Sequence, residues 1–163
     1  MLGMYTIEEF LTTFKSLSIG YSDINLSSLS QLDKHQIGYS KDPWGKSLVT
    51  GVEGDWKEEW RVIGWDGLGD PIFVDLKSEN LEVFSAVHGQ GVWEPYRISD
   101  SLGKFAQIFS KLRELAKDRE NPVSLEKKPM SHEEANNFLD FVMRNNPDSD
   151  ISFWEAVIAG CLD

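Results

Sequence analysis

Between Trp60 and Ile98 lie four runs rich in β-branched and aromatic residues, and the shortness of the breaks between them constrains the fold more than any other feature. The runs are Trp60 to Trp65, Ile72 to Leu76, Leu81 to His88 and Val92 to Ile98; the breaks are Asp66-Gly67-Leu68-Gly69-Asp70, Lys77-Ser78-Glu79-Asn80 and Gly89-Gln90-Gly91. β-Branched and aromatic side chains fit a pleated surface, and clusters of Gly, Asp and Asn supply turns. A parallel neighbour needs a crossover of a dozen or more residues, longer than any of these breaks. Consecutive strands must therefore return beside one another as an antiparallel meander. Ser47 to Val52 reads as a further short strand, entered by a turn at Asp42-Pro43-Trp44-Gly45.

Helical spacing flanks this region. Thr6 and Glu9 have capping-box spacing, and Ile7, Phe10, Leu11, Phe14 and Leu17 then predict a first helix that ends near Gly20. Tyr21 to Leu32 reads as a loop with at most a turn of helix. Ser99 opens a second helix whose apolar face carries Leu102, Phe105, Ile108, Phe109, Leu112 and Leu115. Asn121-Pro122 and Lys127-Lys128-Pro129 mark a connector. Ser131 and Glu134 repeat the capping-box spacing before Ala135, Phe138, Leu139 and Val142, and Asn145-Asn146-Pro147 stops that helix. A last short helix carries Trp154, Val157, Ile158 and Cys161. The expected class is α+β: a curved antiparallel meander of about four to six strands flanked by helices. One domain should span residues 1–163, with 121–163 a C-terminal helical extension packed on it. A chain of 163 residues hides about 70% of its unfolded surface, enough to fold without a disulfide or structural metal.

Several function classes are excluded on composition. Cys161 is the single cysteine, so no intramolecular disulfide or cysteine-rich metal site is possible, and its apolar stripe suits a packed thiol in a reducing compartment. Met1 to Phe10 has no basic cluster ahead of an apolar run, unlike a secretory signal. The longest apolar run, Phe153 to Leu162, is interrupted by Glu155 and falls short of the roughly 18–20 residues of a membrane span. A soluble, cytoplasmic protein is expected. The formal net charge of −11, from 16 basic and 27 acidic residues, disfavours nucleic acid or an anionic membrane as direct partner and suits a basic one. From Glu53 to Asp100 there are 11 acidic residues against Lys57, Arg61, Lys77 and Arg97.

No motif supplies a catalytic centre. Gly64, Gly67, Gly69 and Asp70 are read as turn residues and not as a phosphate cradle, because no helix follows and no Lys-Ser/Thr pair is present. Gly67 and Gly69 would permit positive φ, and Asp70 would accept from nearby amides ahead of Pro71. His88, with Asp75 and Glu94 as conceivable neighbours across the sheet, is the one candidate for acid–base or metal chemistry, but no second histidine stands at ligand spacing, so it is read as structural. No catalytic residue, metal ligand or cofactor is assigned. Of the six tryptophans, Trp60, Trp65 and Trp154 are expected in the core, and Trp44 and Trp56 as exposed anchors, because Trp is enriched at binding hot spots. With the neighbouring carboxylates they define the expected partner-binding set: Trp44, Glu53, Asp55, Trp56, Glu58, Glu59, Asp66, Trp93 and Glu94. The alternative for the acidic run is a solvated loop.

The segment from Trp60 to Leu76, with its Ile63-Gly64, Gly69-Asp70 and final Asp75 elements, followed by Val83-Phe84 and His88 to Trp93, resembles the SUKH superfamily. This group includes fungal cell-wall regulators and many bacterial proteins. The likeness runs from about Trp60 to Leu115, and more loosely from Thr6; the family's Pro-containing start and its Asn-Gly-Gly turn after the first helix are not evident. The resemblance implies an α+β fold with a curved sheet, no catalytic activity and, in many bacterial members, immunity: the protein binds and neutralises a toxin domain, often a nuclease. On that basis the expected partner is a basic toxin domain, occluded by the acidic surface. A regulatory interaction scaffold is the second reading, and a small metal-dependent hydrolase using His88 the third.

Overall fold

Each strand of the sheet pairs antiparallel with the next in sequence, giving the order β1 (Leu17–Ile19), β2 (Ser22–Leu26), β3 (Trp60–Asp66), β4 (Pro71–Asp75), β5 (Val83–Ser85) and β6 (Tyr96–Ser99). The meander curls into a half-barrel accompanied by five helices, an α+β architecture. These are α1 (Ile7–Thr13), α2 (Leu102–Ala116), α3 (Pro122–Lys127), α4 (His132–Asn145) and α5 (Ser152–Ala159). The computed structural model describes residues 4–162; residues 1–3 and 163, which the single-domain reading includes, lie outside the described residues.

Strand alternation separates two hydrophobic clusters. One face of the sheet presents Ile19, Ile24, Ile63, Ile72, Val74, Val83 and Ile98 to a core to which all five helices contribute. The other presents Val62 and Phe73, with half-buried Trp60 and Phe84, to a smaller cluster that contains no helical residue. We call these the inner and outer faces. The outer face is covered by the loop between β2 and β3. Gln36 anchors that loop: its Oε1 accepts from the Val62 N–H and its Nε2 donates to the Val62 carbonyl, at 2.9 and 2.8 Å.

The helix starts follow the capping signals. Thr6, Ser101, Asn121 and Ser131 each accept from the amide three residues on, and Ser131 with Glu134 completes a capping box. Several boundaries differ from expectation. The first helix stops at Thr13 and not near Gly20, because Phe14 is extended and the chain enters the β1–β2 hairpin at Gly20, so Leu17 and the expected loop after Tyr21 become strands. Ser47 to Val52 forms no strand and makes only an isolated bridge between Lys41 and Ser47. The third and fourth runs shorten to Val83–Ser85 and Tyr96–Ser99, leaving residues 86–95 as a loop. Pro122, expected in a connector, instead opens α3 at a position where its missing N–H costs nothing.

Gly64 is not a turn residue. It lies within β3 beside a register shift between Val62 and Gly64, where a Cβ would sit 2.1 Å from the Asn25 carbonyl oxygen. The turn itself is built by Asp66, whose Oδ1 accepts from the amides of Leu68 and Asp70, both at 2.9 Å. Gly69 there has φ +87°, whereas Gly67 is not in the positive-φ region.

Candidate functional site

The outer face carries a connected ladder of aromatic rings. Trp56 is its hub, with centroids 5.3 Å from Tyr39, 5.2 Å from Trp60, 4.8 Å from Phe73 and 5.3 Å from Trp93. Phe73 continues the contact to Phe84 at 6.0 Å, and the Arg97 guanidinium lies 5.9 Å above the Phe84 ring. The ladder arises because Phe73 and Phe84 are paired across β4 and β5, while the loops at 37–59 and 86–95 bring Tyr39, Trp56 and Trp93 over them. Those two loops close on each other at Gly54, whose carbonyl accepts from Trp93 at 2.7 Å and whose Cα faces Val92 so closely that a Cβ would meet it at 3.0 Å.

Acidic residues rim this ladder. Glu53 and Glu58 are exposed, Asp55 and Glu59 half-buried, and Glu94 exposed beside Trp93. Asp55 is held by the Thr50 hydroxyl, and Glu59 is 4.0 Å from Lys77. Asp75 stands directly opposite Trp60 in the β3–β4 register, and Glu82 pairs with Arg97 at 3.0 Å. Lys57 lies 5.7 Å over the Trp60 ring, so the cations present pack on the aromatics between the carboxylates.

The expected partner-binding residues are only partly brought together. Glu53 and Asp55 flank Gly54, where the two loops close on Trp93 and Glu94, whereas Glu59 lies beside the end of β4, its carbonyl accepting from Leu76 and its carboxylate 4.0 Å from Lys77. Trp56 is 2% exposed, so it is no surface anchor; its indole N–H donates to the Trp60 carbonyl at 3.2 Å and its ring supports the others. Trp60 and Trp65, expected in the core, are half-buried, and Trp154 is fully buried. Trp44 is 88% exposed at the tip of its turn, which Asp42 Oδ1 stiffens by accepting from the amides of Trp44 and Lys46. Asp66 lies at the opposite end of β3 from Trp60, a strand length of about 20 Å away.

Sequence reasoning missed Tyr39 and Phe84, and also the exposed apolar residues Ile37, Leu48, Val52 and Val92 that accompany the ladder on the same two loops. Apart from Phe84, which lies in β5, they sit on loops, and loop residues obey no strand or helix repeat. Their one signal is composition: apolar side chains scattered through a Gly-, Ser- and Asp-rich stretch.

His88 pairs with Asp70, not with Asp75 or Glu94. One oxygen of Asp70 accepts from the His88 backbone N–H at 3.0 Å and lies 2.6 Å from its Nδ1. Asp75 is instead occupied with the Lys77 amide. Tyr39 donates its hydroxyl to the Gly69 carbonyl at 3.4 Å, and its pKa is raised by burial and then by the charges of Asp70 and Asp66. Burial likewise raises the Asp66 carboxyl. Among the described residues no three His, Cys, Asp or Glu side chains converge closely enough to hold a metal ion, and no helix is long and apolar enough to cross a membrane. No protein-family model, curated protein or solved structure matches the chain.

Proposed function

We propose that this chain is a non-catalytic immunity protein that binds a basic toxin domain through its outer face and neutralises it by occlusion. The observation that carries this reading is the set of exposed apolar side chains Trp44, Leu48, Val52 and Val92 on the two loops that cover the aromatic ladder of the outer face, loops that also carry Glu53, Asp55, Glu58, Glu59 and Glu94. Protein interfaces place aromatic and apolar anchors inside a polar rim. The rigid turn presents Trp44 as a side chain able to enter a partner's pocket with little loss of backbone freedom.

A nuclease must expose Lys or Arg to bind phosphate, so a carboxylate-rich surface can occupy its cleft in place of nucleic acid. Complementary charge steers encounter, and association then approaches about 10⁸–10⁹ M⁻¹s⁻¹ at low salt. That speed suits an inhibitor required before damage accumulates. The resemblance to the SUKH superfamily points the same way. The test is charge reversal of Glu53 and Glu58 to Lys, with association measured by stopped flow against a toxin domain encoded in a flanking reading frame. Association should slow roughly tenfold or more at low salt while the melting temperature is unchanged, since both side chains are exposed and unpaired among the described residues. An unaltered rate and salt dependence would remove the loop from the interface.

A further inference from the structure

Residues 37–56, most of the loop between β2 and β3, lie across the outer face without contributing a strand to the sheet. Their own backbone bonds hold them together: Gly38 donates to the Lys41 carbonyl at 2.7 Å, Asp42 to the Lys46 carbonyl at 2.8 Å and Leu48 to the Ser40 carbonyl at 2.8 Å, with bridges pairing Lys41 to Ile37 and to Ser47. Apart from bonds to the helical turn Lys34–Gln36 that precedes it, three hydrogen bonds among the described residues tie this segment to the rest of the molecule. The Tyr39 hydroxyl donates to the Gly69 carbonyl at 3.4 Å, the Trp93 amide to the Gly54 carbonyl at 2.7 Å, and the Trp56 indole to the Trp60 carbonyl at 3.2 Å.

Burial is equally uneven. Trp56 is buried, and every other residue of the segment is half-buried or exposed. Its ring packs on Phe73, Trp60 and Trp93, while Tyr39 and Val49 only flank the cluster. Beneath lie Val62, Phe73 and Ala86, fully buried in a cluster that contains no helical residue. Ordering a segment of this length carries an entropy cost that is offset here by a single indole and three bonds. Segments with few buried apolar side chains open locally as cooperative units, at free energies well below that of the whole fold. Gly38, at φ +94° with open space around it, and the exposed Lys57 and Glu58 leave both ends free to turn.

We infer that residues 37–56 are a strap that opens and closes over the outer face as one unit, with the Trp56 ring as its latch. The strap keeps its internal bonds, so it swings away without melting. Closure sets Glu53 and Asp55, on either side of Gly54, against Val92, Trp93 and Glu94, and the closed strap is therefore the form that assembles the docking surface. This consequence rests on the outer-face reading, whereas the opening belongs to the chain alone. A partner that grips both loops captures the strap closed, and its apparent affinity carries the closed fraction as a factor.

Hydrogen–deuterium exchange of the full chain, followed by NMR in urea too dilute to unfold it, tests this, because the Trp93 amide and the Trp56 indole N–H are each protected by a bond between strap and body. Both should exchange through the same opening, about a hundredfold or more as often as the β4 amides, and with a shallower urea dependence. Four of the five β4 residues are buried, so that strand reports the whole fold. Ile98→Val, on the inner face, should speed β4 exchange about threefold to tenfold and leave both reporters unchanged. Exchange of the reporters together with β4, different openings for the two, urea-independent exchange of either, or equal acceleration of reporters and β4 by Ile98→Val would overturn the strap. With the toxin domain of the flanking reading frame bound, both reporters should slow by about tenfold or more. A bound partner without that slowing would overturn capture of the closed strap, whereas no binding by a chain whose strap still opens removes the outer-face reading alone.

Discussion

Among the tryptophans, what the indole nitrogen reaches decides the role as much as hydrophobicity does. Trp56 and Trp154 bury their rings because Nε1 finds a backbone acceptor, the Trp60 carbonyl at 3.2 Å and the Ile98 carbonyl at 2.8 Å. Trp44 has four-fifths or more of its surface in water on a turn braced by Asp42. Trp56→Ala should therefore cost about 3–5 kcal/mol in urea unfolding. Trp44→Ala should leave stability within about 0.5 kcal/mol, but weaken partner binding by about 2 kcal/mol if this ring is an anchor. Asp66 makes a separate prediction. Burial raises its folded carboxyl above 3.8, so the group contributes stability below that value that is lost as pH rises through the folded pKa. Asp23, Asp70 and Tyr96 line one cleft with it beside the β3–β4 turn, and the His88 imidazole there bonds Asp70 Oδ1 at 2.6 Å. Asp66→Asn, which keeps an oxygen for the Leu68 and Asp70 amides, should melt higher at pH 7, and the gain should shrink as pH falls toward 3.8. A variant that melts lower at pH 7 would show that the turn's hydrogen bonds outweigh burial.

The two ends of the sheet explain what the C-terminal segment does at the level of elements. An edge strand presents unpaired amide groups that invite another chain. At the β6 edge the Arg97 carbonyl accepts from Asp150 at 2.8 Å, the Ile98 carbonyl takes the Trp154 indole, and Asn146 Oδ1 accepts from the Ser99 hydroxyl and the Asp100 amide. At the other edge Gly20 donates to the Arg119 carbonyl, and Arg119, 3% exposed, joins three backbone carbonyls and Glu134 across the α2–α4 connection. Asn146→Ala should cost about 1–3 kcal/mol in thermal or urea unfolding, because the Asp100 amide loses its acceptor and the Ser99 hydroxyl is left with the Ser101 carbonyl alone. The same residue shows what could be read beforehand. Asn145-Asn146-Pro147 is legible as a helix stop from local chemistry, but its partners lie 46 and 47 residues away in sequence and leave no local trace. The four central runs were legible because β-branched and aromatic composition between short turn clusters is a local pattern. β1 and β2 were not, since the Ser-, Asp- and Asn-rich stretch from Tyr21 to Leu32 lacks the β-branched and aromatic runs of the centre, and Leu17 happens to continue the helical spacing of α1. The carboxylates of the cleft beside the β3–β4 turn share this limit: Asp23, Asp66 and Asp70 meet only because the meander brings its turns to one end.

At the scale of the whole molecule, the fold sorts its chemistry by side. All five helices lie behind the inner face, while the aromatic ladder and its acidic rim occupy the outer face and Asp23, Asp66 and Asp70 the cleft beside the β3–β4 turn. With a net charge of −11, the field reaches well beyond these contacts at low salt, but it is screened over about 8 Å at physiological ionic strength. Two kinds of interaction with a basic partner should then separate. Steering by exposed carboxylates such as Glu53 and Glu58 acts during encounter, so salt should lower the association rate steeply and its slope should flatten when those residues are reversed. The contacts proposed for Trp44 and Trp93 would act after docking, so their substitution should raise the dissociation rate with little change in the salt slope. Stopped-flow association from about 10 mM to 1 M salt, a range over which the screening length falls from roughly 30 to 3 Å, distinguishes the two. If Trp44→Ala flattened the slope as much as charge reversal, or if association ignored salt altogether, the division of labour between field and contact would fail. The acidic balance of the chain would then serve solubility alone.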